Sequence, residues 1–447
     1  MRKIILLFCV VGETYSFGTS PRLVFLGERE GFSPSRQSRI YDINNDASVI
    51  VGGYASSSYS SRLFPCKWNL DNIAEFLLDP SEHASEYNDG FAAACNDSGS
   101  IIVGNFDRKA FQWTEESSIQ YILPPLDLFG IGNRYWEAVD VNEFGMIVGN
   151  STGPGRNQFN YPWPDPEQFS QSFISFSLQS SDVSYYHLCP MMGFRPTPYA
   201  KILGMSRYGN KIFGTSTYEF CSNSNYYKAF KYENSSWLSI SEDFTWGSYV
   251  KASSSNGSVI GGWSGYLDGG FIKTPDYIHF LGTDISIYAL SGDGFVAVGG
   301  SGLSAEAIIW TKPRGIISVD SLILSSFSSQ IPLTIGDWGF VERTKEATCI
   351  SSDGTCIGGN TVHGHLISNA FVLTGLSLLN DHCPCDFNKD GQVDDSDFVI
   401  FVVAYNNLLC PNAVTDPLCR MDINLDGLVD DADFSLFVVA YNKLECE

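Results

Sequence analysis

Basic residues are scarce in this 447-residue chain, which has 27 Lys and Arg against 50 Asp and Glu and a net charge of −23. This imbalance excludes a typical nucleic-acid binder, because such proteins neutralise phosphates with clustered Lys and Arg. It favours cation partners or simple solubility.

Long apolar runs are scarce as well. The N-terminal run from Ile4 to Val11 follows Arg2 and Lys3 and is too short to span a bilayer. It predicts a signal peptide over residues 1–18 and a secreted protein, extracellular or at the cell surface. No later run approaches about 18 residues, so we expect no membrane span.

Common catalytic motifs are absent from the sequence, which has no Gly-x-Ser-x-Gly elbow, no His-Glu-x-x-His and no phosphate loop. His363 and His365 alone do not make a zinc site. A glycosidase would need paired carboxylates about 5–9 Å apart. Asp42 and Asp140 are the candidates, but they recur at comparable repeat positions, which favours support of a turn over catalysis.

One pattern is present seven times: a short apolar stretch, a turn rich in Ser, Asn, Asp and Gly, an apolar run, and then Gly. The first copy runs from Ile43 to Gly52, and the clearest late copy from Ile350 to Gly359. The seven copies end at Gly52, Gly104, Gly149, Gly214, Gly261, Gly299 and Gly358. Each copy predicts a β-hairpin, because Gly, Asn and Asp tolerate positive φ in its turn.

Further strands follow most of these hairpins. A third strand with aromatic residues is predicted in segments such as Phe64 to Trp68, and a fourth in segments such as Glu75 to Leu78. Four short strands per unit predict a β-propeller of seven blades, with six or eight as alternatives. Val24 to Gly27 resembles a fourth strand but precedes the first hairpin, so one blade would be completed from both ends of the chain.

The Ser-x-Asp-Gly-x-x-x-x-Gly hairpin, followed by Ala-Phe or Ala-x-x-Trp, resembles the HAF family of extracellular repeats. Three further segments resemble the final repeat of that family: Val319 to Leu322, Asp337-Trp338, and Ala347 to Gly359. The resemblance covers roughly residues 22–376. It implies a secreted, propeller-like domain and brings no assigned catalytic residues.

The widest interval between repeats lies between Gly149 and Gly214. It contains Tyr161-Pro162-Trp163-Pro164 and Tyr185-Tyr186-His187. We expect an insertion that projects as a long loop, whose aromatic side chains either stack on sugar rings or pack against the neighbouring blade.

Residues 381–447 are sharply different, with 12 Asp and 2 Glu against 2 Lys and 1 Arg. Two 12-residue loops, beginning at Asp386 and Asp422, have the EF-hand pattern of oxygen ligands at positions 1, 3, 5, 9 and 12 with Gly at position 6. They predict two Ca²⁺ sites, with position 7 supplying a backbone carbonyl. The predicted ligands are Asp386, Asn388, Asp390, Gln392, Asp394 and Asp397, and then Asp422, Asn424, Asp426, Leu428, Asp430 and Asp433. Position 8, Val393 or Val429, should face inward.

A helix is predicted after each loop, because Phe398, Phe401, Val402 and Tyr405 share one helical face. No helix pattern precedes either loop, and position 12 is Asp in both. This duplicated loop–helix unit resembles a type I dockerin, which implies a cohesin-like or other surface scaffold protein as partner. The resemblance implies partner contacts at positions 10 and 11: Asp395, Ser396, Asp431 and Ala432. These are not the Ser-Thr pair common in cellulosomal dockerins.

Cysteines flank both loops. Cys383 and Cys419 lie three residues before a loop, and Cys410 and Cys446 lie 24 residues after a loop start. These four are predicted to pair either within each repeat or as Cys410–Cys419 with Cys383–Cys446, which leaves Cys385 as the extra one. Elsewhere, Cys349 and Cys356 could bridge only if residues 351–354 form a four-residue loop.

The predicted fold is mainly β: a signal peptide over 1–18, a propeller over 19–376, a linker over 377–382 and a small α-helical dockerin-like domain over 383–447. The predicted function is non-catalytic binding of a glycan or protein by the propeller, with attachment through the calcium module. The alternative is a polysaccharide-degrading glycoside hydrolase or lyase that the module tethers to a larger assembly.

Overall fold

The structure is a computed structural model of the chain. It describes residues 22–26, 37–55, 62–71, 74–81, 89–122, 135–153, 169–175, 183–186, 200–208, 211–217, 227–233, 236–240, 247–265, 269–275, 277–302, 306–311, 315–327, 343–363, 366–376, 385, 387, 393–406, 421 and 428–441. The predicted signal peptide and linker lie outside these residues.

The described strands form seven four-stranded antiparallel sheets. The first strand is β1 (Arg22–Leu26). Sheet 1 follows with β2 (Ser38–Ile43), β3 (Ile50–Ala55), β4 (Leu63–Trp68) and β5 (Ala74–Phe76). Sheet 2 has β6 (Gly90–Cys95), β7 (Ile102–Phe106), β8 (Lys109–Thr114) and β9 (Ser118–Tyr121). Sheet 3 has β10 (Tyr135–Val141), β11 (Ile147–Gly153), β12 (Phe169–Ser175) and β13 (Val183–Tyr186).

Sheet 4 consists of β14 (Ala200–Met205), β15 (Ile212–Thr217), β16 (Tyr227–Glu233) and β17 (Ser236–Ser239). Sheet 5 has β18 (Ser248–Ser253), β19 (Ile260–Ser264), β20 (Gly269–Lys273) and β21 (Ile278–Gly282). Sheet 6 has β22 (Ile285–Leu290), β23 (Val296–Ser301), β24 (Glu306–Thr311) and β25 (Gly315–Ser318), and helix α1 (Val319–Phe327) follows it. Sheet 7 has β26 (Arg343–Ile350), β27 (Ile357–His363) and β28 (Leu366–Thr374), completed by β1.

Neighbouring sheets are held together by buried apolar clusters. Val51 and Phe64 of sheet 1, for example, pack against Ala92 and Phe111 of sheet 2. Comparable clusters join the other neighbouring pairs, and the last joins sheet 7 back to sheet 1 through residues that include Ile40 and Val372. The first hairpin strand of each sheet packs against its counterparts in the two adjacent sheets. This radial arrangement is a β-propeller, as the repeat pattern predicted.

The two ends of the propeller segment meet in sheet 7. Strand β1 pairs with β28 in antiparallel register, with Phe25 opposite Phe371. The expectation that Val24 to Gly27 completes a blade begun at the other end of the chain is confirmed over its described residues. Since β1 lies more than 300 residues from β28, only the tertiary fold can bring these strands together.

Each innermost strand carries a β-bulge. In sheet 1, Ile40 and Asp42 pair with successive residues of β3, which leaves Tyr41 as the extra residue. The same shift occurs in all seven sheets, after residues 40, 92, 138, 202, 250, 287 and 347. The bulge explains the recurring Gly of the second strand: a Cβ on Gly104 would lie 2.1 Å from the carbonyl oxygen of Phe91. Only Gly permits this approach of two backbones.

The hairpin turns also follow the sequence pattern. Gly99, Gly145 and Gly354 have positive φ angles in their turns, and Ala47 takes the same conformation with φ 56°. The side-chain oxygen of Asn44 accepts the backbone N–H of Val49 at 2.9 Å, which closes the turn from within. Asn and Ser at this position therefore satisfy backbone groups that the tight turn leaves unpaired.

The interval between Gly149 and Gly214 differs from the prediction of a projecting loop. It contains β12 and β13, the third and fourth strands of sheet 3, and Tyr185 and Tyr186 belong to β13. The expectation of a loop is therefore wrong for these two residues, because the interval first has to complete a sheet. Tyr161, Trp163 and His187 lie outside the described residues.

Candidate functional sites

The C-terminal segment contains two helices at the positions predicted from sequence, α2 (Asp395–Tyr405) and α3 (Asp431–Tyr441). Asp394 caps α2, because its Oδ1 accepts the backbone N–H of Ser396 at 2.7 Å. Asp397 returns the interaction by accepting the backbone N–H of Asp394 at 3.0 Å. This reciprocal arrangement is a capping box, which fixes the start of a helix.

Helix α3 begins in the same way. Asp430 accepts the backbone N–H of Ala432 at 2.8 Å, and Asp433 accepts that of Asp430 at 3.0 Å. The carboxylates at loop positions 9 and 12 thus have the same roles in both repeats. The starts of the two helices therefore have the same local geometry.

The two helices share a small core. Val393 and Val429 are buried, as predicted for position 8, and the ring of Phe387 stacks on Phe401 and Phe437 with centroids 6.2 and 5.9 Å apart. The predicted apolar face of α2 is partly corrected: Phe401 is buried, but Phe398 is 38% exposed and Ala404 takes an inner position. The core thus lies between the two repeats rather than beneath one helix.

The predicted partner-binding residues have additional contacts within the module. The hydroxyl of Tyr441 donates to Oδ1 of Asp395 at 2.6 Å, and Tyr405 donates to Asp431 in the symmetry-related position. Each helix end is therefore tied to the start of the other helix. Ser396 and Ala432 are exposed. The residue at loop position 10, Asp395 or Asp431, therefore forms a contact between the two repeats.

The donor chemistry of the module fits calcium. Asp397 and Asp433 are fully buried carboxylates at the ends of the two loops, and buried carboxylates need hydrogen bonds or a cation. Carboxylate and carbonyl oxygens are the ligands that Ca²⁺ prefers. Leu428, Asp394 and Asp430 are described, and no group of three metal-ligating side chains occurs within the described part. The other predicted ligands, Asp386, Asn388, Asp390, Gln392, Asp422, Asn424 and Asp426, lie outside it.

The cysteines divide into two groups. Cys383, Cys410, Cys419 and Cys446 lie outside the described residues, so their pairing stays a prediction. Cys349 lies opposite Gly358, whereas the carbonyl of Cys356 accepts the backbone N–H of Ser351 at 2.9 Å. The four-residue loop that a bridge would require is not formed, and both thiols are free. Burial raises the pKa of the Cys356 thiol to about 12, which keeps it unreactive.

The hairpin turns between the first and second strands of the sheets lie together at one end of the propeller channel. The second residues of neighbouring turns hydrogen-bond through the backbone: Glu143 donates to Arg207, Ser255 to Gly292, and Gly292 to Ser352, over 2.7–3.1 Å. Further bonds of this kind join Asn45 to Asp97 and Tyr208 to Ser255. We call these residues the turn belt. Such distances bring the turns into direct contact, so this end of the channel is narrow.

Arg207 crosses the turn belt. It belongs to the turn of sheet 4, yet its guanidinium pairs with Asp97 of sheet 2 and donates to the carbonyl of Ile43 in sheet 1 at 3.3 Å. A second carboxylate, Asp42, lies 3.9 Å away. Burial acts to lower the pKa of Arg207, but the charges of Asp42 and Asp97 outweigh it and raise that pKa. Arg207 therefore neutralises a buried acidic cluster and ties together three turns.

Asp42 and Asp140 hold neighbouring sheets together. Asp42 accepts the backbone N–H of Cys95 in sheet 2 at 3.0 Å, and Asp140 accepts that of Met205 in sheet 4 at 2.8 Å. Burial raises the pKa of both carboxyls, that of Asp140 to about 7, with the charge of Asp42 adding to it. Their equivalent bonds show a structural role in joining neighbouring sheets, whereas their repeated position predicted support of a turn.

The opposite end of the channel, where the innermost strands begin, has a different chemistry. We call it the mouth. In each innermost strand, one buried residue comes directly before the extra residue of the bulge. The residues that precede these buried positions form a first ring: Arg39, Phe91, Glu137, Lys201, Tyr249, Ser286 and Glu346. The extra residue of each bulge forms a second ring: Tyr41, Ala93, Val139, Leu203, Lys251, Tyr288 and Thr348. All of these side chains are at least partly exposed, whereas the residue between the rings is buried in every sheet.

Five consecutive sheets, from sheet 5 through sheet 7 to sheet 2, contribute all the aromatic side chains of the two rings and three of their five charged ones. The ring of Tyr41 stacks on Phe91 at 4.4 Å, and Tyr249 stacks on Trp263 at 5.5 Å. The ammonium of Lys251 lies 4.0 Å above the ring of Tyr288. Such a partly exposed mixture of aromatic rings and charges is typical of ligand sites.

Sequence reasoning did not find the mouth. Its residues are as different from repeat to repeat as Arg39, Phe91 and Ser286, so no motif marks them. The available signal was the alignment of the repeats: every mouth residue lies next to the same buried position of the innermost strand. A repeated strand whose partly exposed positions vary while its buried positions stay apolar indicates a site of this kind.

Comparisons with known proteins found distant structural neighbours only. No protein-family model and no curated protein matches the chain. It is similar to the β-propeller domain of the Trilobed protease from Pyrococcus furiosus, with a TM-score of 0.42 and 10% identity over 63% of this chain and 83% of that one. It is also similar to the Pyrococcus horikoshii acylaminoacyl peptidase, with a TM-score of 0.44 and 8% identity over 76% of this chain and 52% of that one. This chain thus spans about half the length of that peptidase.

A third structure, the Trypanosoma rangeli sialidase, has a TM-score of 0.44 and 12% identity over 90% of this chain and 65% of that one. The strand pairing of this chain identifies it as a β-propeller; activity and ligand have to be argued from its own residues. In the described part of the chain, no helix is long and apolar enough to cross a membrane.

Proposed function

We propose that this protein is a secreted, non-catalytic β-propeller that binds a glycan or protein ligand at the mouth, and that its C-terminal module binds calcium and attaches it to a scaffold protein. The observation that supports ligand binding is the contrast within one channel. The turn belt is filled by mutual hydrogen bonds, while the mouth presents stacked aromatic rings and charged groups to solvent.

We also propose that the propeller has seven blades. Six sheets are each built from four consecutive strands, and the seventh joins β1 to the last three strands. The seventh shares the bulge position of the other six and packs on sheets 6 and 1. These common features support counting sheet 7 as a full blade.

The attachment role rests on the two equivalent loop–helix repeats and on the surface of their helices. Val399 and Val403 of α2 are 64% and 52% exposed, and the exposed Phe434 and Leu436 lie on α3. Apolar side chains exposed together on a small domain mark an interaction surface. A cohesin-like or other surface scaffold protein is the proposed partner, bound through this surface and through Asp395, Ser396, Asp431 and Ala432.

The calcium proposal is tested on the full chain by calorimetry. Asp390→Ala with Asp426→Ala should abolish high-affinity calcium binding and loosen residues 381–447, while the propeller stays folded, because each loop loses a carboxylate ligand. Asp107→Ala with Asp293→Ala removes the same charge from the propeller and should leave calcium binding intact. A single cooperative melt that chelator does not shift would contradict the proposal.

A capture experiment with the full chain tests attachment. The wild-type protein is incubated with a surface extract of the source organism in calcium or in chelator, and Val399→Asp serves as the surface variant. We expect one partner, retained only with calcium and lost with the variant. Two calcium sites by calorimetry with no retained partner would leave the module as a stabilised C-terminal domain.

The enzyme alternative has one observation in its favour, since a carboxyl whose pKa is about 7 suits a general acid. Against it, both oxygens of Asp140 accept backbone N–H groups, from Val141 at 2.8 Å and from Met205 at 2.8 Å. Screening polysaccharides for released reducing ends separates the two functions. Turnover that Asp140→Asn abolishes would overturn the non-catalytic proposal.

A further inference from the structure

The geometry of the mouth points to a saccharide that carries a carboxylate as its ligand, bound across sheets 5, 6, 7, 1 and 2. This inference rests on the proposed binding function and narrows it to one class, acidic sugars such as uronates. It is built on three observations: cationic groups that form no ion pair among the described residues, aromatic faces on both sides of them, and a limited local charge.

The first observation concerns two cations. The Nε of Arg39 is buried and has no hydrogen-bond partner in the described part of the chain. Lys251 lies over the ring of Tyr288, and no ion pair is formed by it among the described residues. An unpaired buried donor is unfavourable unless a ligand satisfies it. A carboxylate is the group that Arg and Lys pair with most strongly through charge-assisted hydrogen bonds.

These cations belong to one continuous surface. Tyr288 and Glu346 meet above Gly300, where a Cβ would lie 3.5 Å from Cε2 of the tyrosine and 3.4 Å from Cβ of the glutamate. The charge of Glu346 acts on Tyr41, which in turn hydrogen-bonds Arg39. The chain of neighbours therefore runs from Lys251 in sheet 5 to Arg39 in sheet 1 without a break.

Aromatic faces flank this surface at both ends. Tyr249 with Trp263 lies at the sheet 5 side, and Tyr41 with Phe91 lies at the boundary of sheets 1 and 2. The C–H groups on one face of a sugar ring pack well against an aromatic ring, and rigid aromatic side chains lose little entropy when they do so. Two such platforms accommodate neighbouring sugars of an oligosaccharide.

Hydroxyl groups of the sugar would find partners between the platforms. Burial and the charge of Glu346 raise the pKa of Tyr288 to about 12, so its hydroxyl stays protonated and can donate. Ser286 hydrogen-bonds both Tyr249 and Tyr288, which orients the two phenols. The carboxylate of Glu346 is an acceptor for sugar hydroxyls.

The net charge of this arc of five sheets favours a singly charged carboxylate over an anion of higher charge, such as a phosphate or sulfate cluster. Arg39 and Lys251 supply two positive charges to this arc, and Glu346 and Asp89, whose charges both act on Tyr41, supply two negative charges, so neither sign is in large excess. A singly charged carboxylate can pair with one of the cations, whereas a phosphate or sulfate cluster would place uncompensated negative charge next to Glu346 and Asp89.

Calorimetry on the full chain in calcium buffer tests the inference with three probes: trigalacturonate, its methyl ester, and galactotriose. We expect trigalacturonate to bind and the two neutral probes to bind at least tenfold more weakly, since they lack the charge-assisted bond. Lys251→Gln should weaken trigalacturonate binding about tenfold, while Glu346→Gln should strengthen it because it removes a repelling charge.

The matched control is Lys231→Gln, which removes a cation from β16, the third strand of sheet 4 and outside the mouth, and should change affinity less than about twofold. Lys251 is exposed, so its variant should fold even if Arg39→Gln does not. Equal binding of acid and ester would overturn the acidic-sugar inference and leave glycan binding intact. No binding of any probe by the folded wild type would overturn the inference, and a blank glycan array would also overturn the glycan half of the proposed function.

Discussion

The two ends of the propeller channel are built from the same seven strands but use them differently. At the turn belt, side chains and backbone groups are consumed by bonds between sheets, and Arg207 neutralises the buried carboxylates. At the mouth, equivalent positions carry unrelated residues whose side chains stay at least partly exposed. Where repeats agree, the residues stabilise the ring; where they diverge at a fixed, partly exposed position, the residues are available for binding.

The strongest test of this comparison is Arg207→Gln at the turn belt against Lys251→Gln at the mouth. The first variant leaves Asp42 and Asp97 buried without their cation, and breaking a buried pair costs about 3–5 kcal/mol of unfolding free energy. The second removes an exposed charge and should change stability by less than about 0.5 kcal/mol. Urea unfolding measures both. Equal losses would show that the two ends do not differ in structural role.

The bulge glycines give the next largest effect. Gly104→Ala should lower the free energy of unfolding by about 1–3 kcal/mol, because its Cβ would meet the Phe91 carbonyl oxygen at 2.1 Å. Gly302→Ala is the matched control, with its nearest atom, the Asp284 oxygen, 3.7 Å away. If both variants melt like wild type, close backbone approach is not the reason for the repeated Gly.

Asp140, which lies close to the turn belt, should make the free energy of unfolding depend on pH. An unfolded Asp ionises near pH 4, whereas folded Asp140 keeps its proton until about pH 7, so the folded state binds more protons in between. Stability should therefore fall as pH rises through this window, by at most about 1.4 kcal/mol per pH unit from this group. Asp140→Asn should flatten that slope in chemical unfolding measured from pH 4.5 to 7.

Asp46 is the control of opposite sign, since hydrogen bonds from Ser48 lower its pKa. Its contribution should be present near neutral pH and lost as pH falls through the folded pKa, so Asp46→Asn should leave the slope between pH 5 and 7 unchanged. A slope that persists in Asp140→Asn would assign the effect to other buried groups, such as Asp42.

The smallest effect is expected at the first ring of the mouth. Lys201→Gln should shift the thermal midpoint by less than about 1 °C, because an exposed substitution of this kind changes stability within about 0.5 kcal/mol. Differential scanning calorimetry measures it. A large loss would mean that Lys201 stabilises the ring, for instance through Glu137, whose pKa it lowers against the effect of burial.

Much of the fold could be predicted because each local unit repeats. The turn residues and apolar runs predicted the hairpins. The early segment from Val24 to Gly27 predicted that both ends of the chain close the ring, and the strand pairing agrees with both predictions. The expected loop around Tyr185 was wrong because sheet 3 takes its third and fourth strands from this interval, and no short sequence pattern marked them. At Cys349 the register of the hairpin, which sequence spacing leaves open, excluded a bridge.

By itself, the sequence determined the local chemistry: tight turns where Asn, Ser and Gly stand, and helix starts where Asp394 and Asp430 cap them. These follow from interactions within a few residues, which any fold of this chain would retain. Only the tertiary structure decided that Arg207 would meet Asp97 across the channel, or that Lys251, Tyr288 and Arg39 would share one surface. Those residues come from different sheets, and their neighbours are set by how seven sheets pack in a ring.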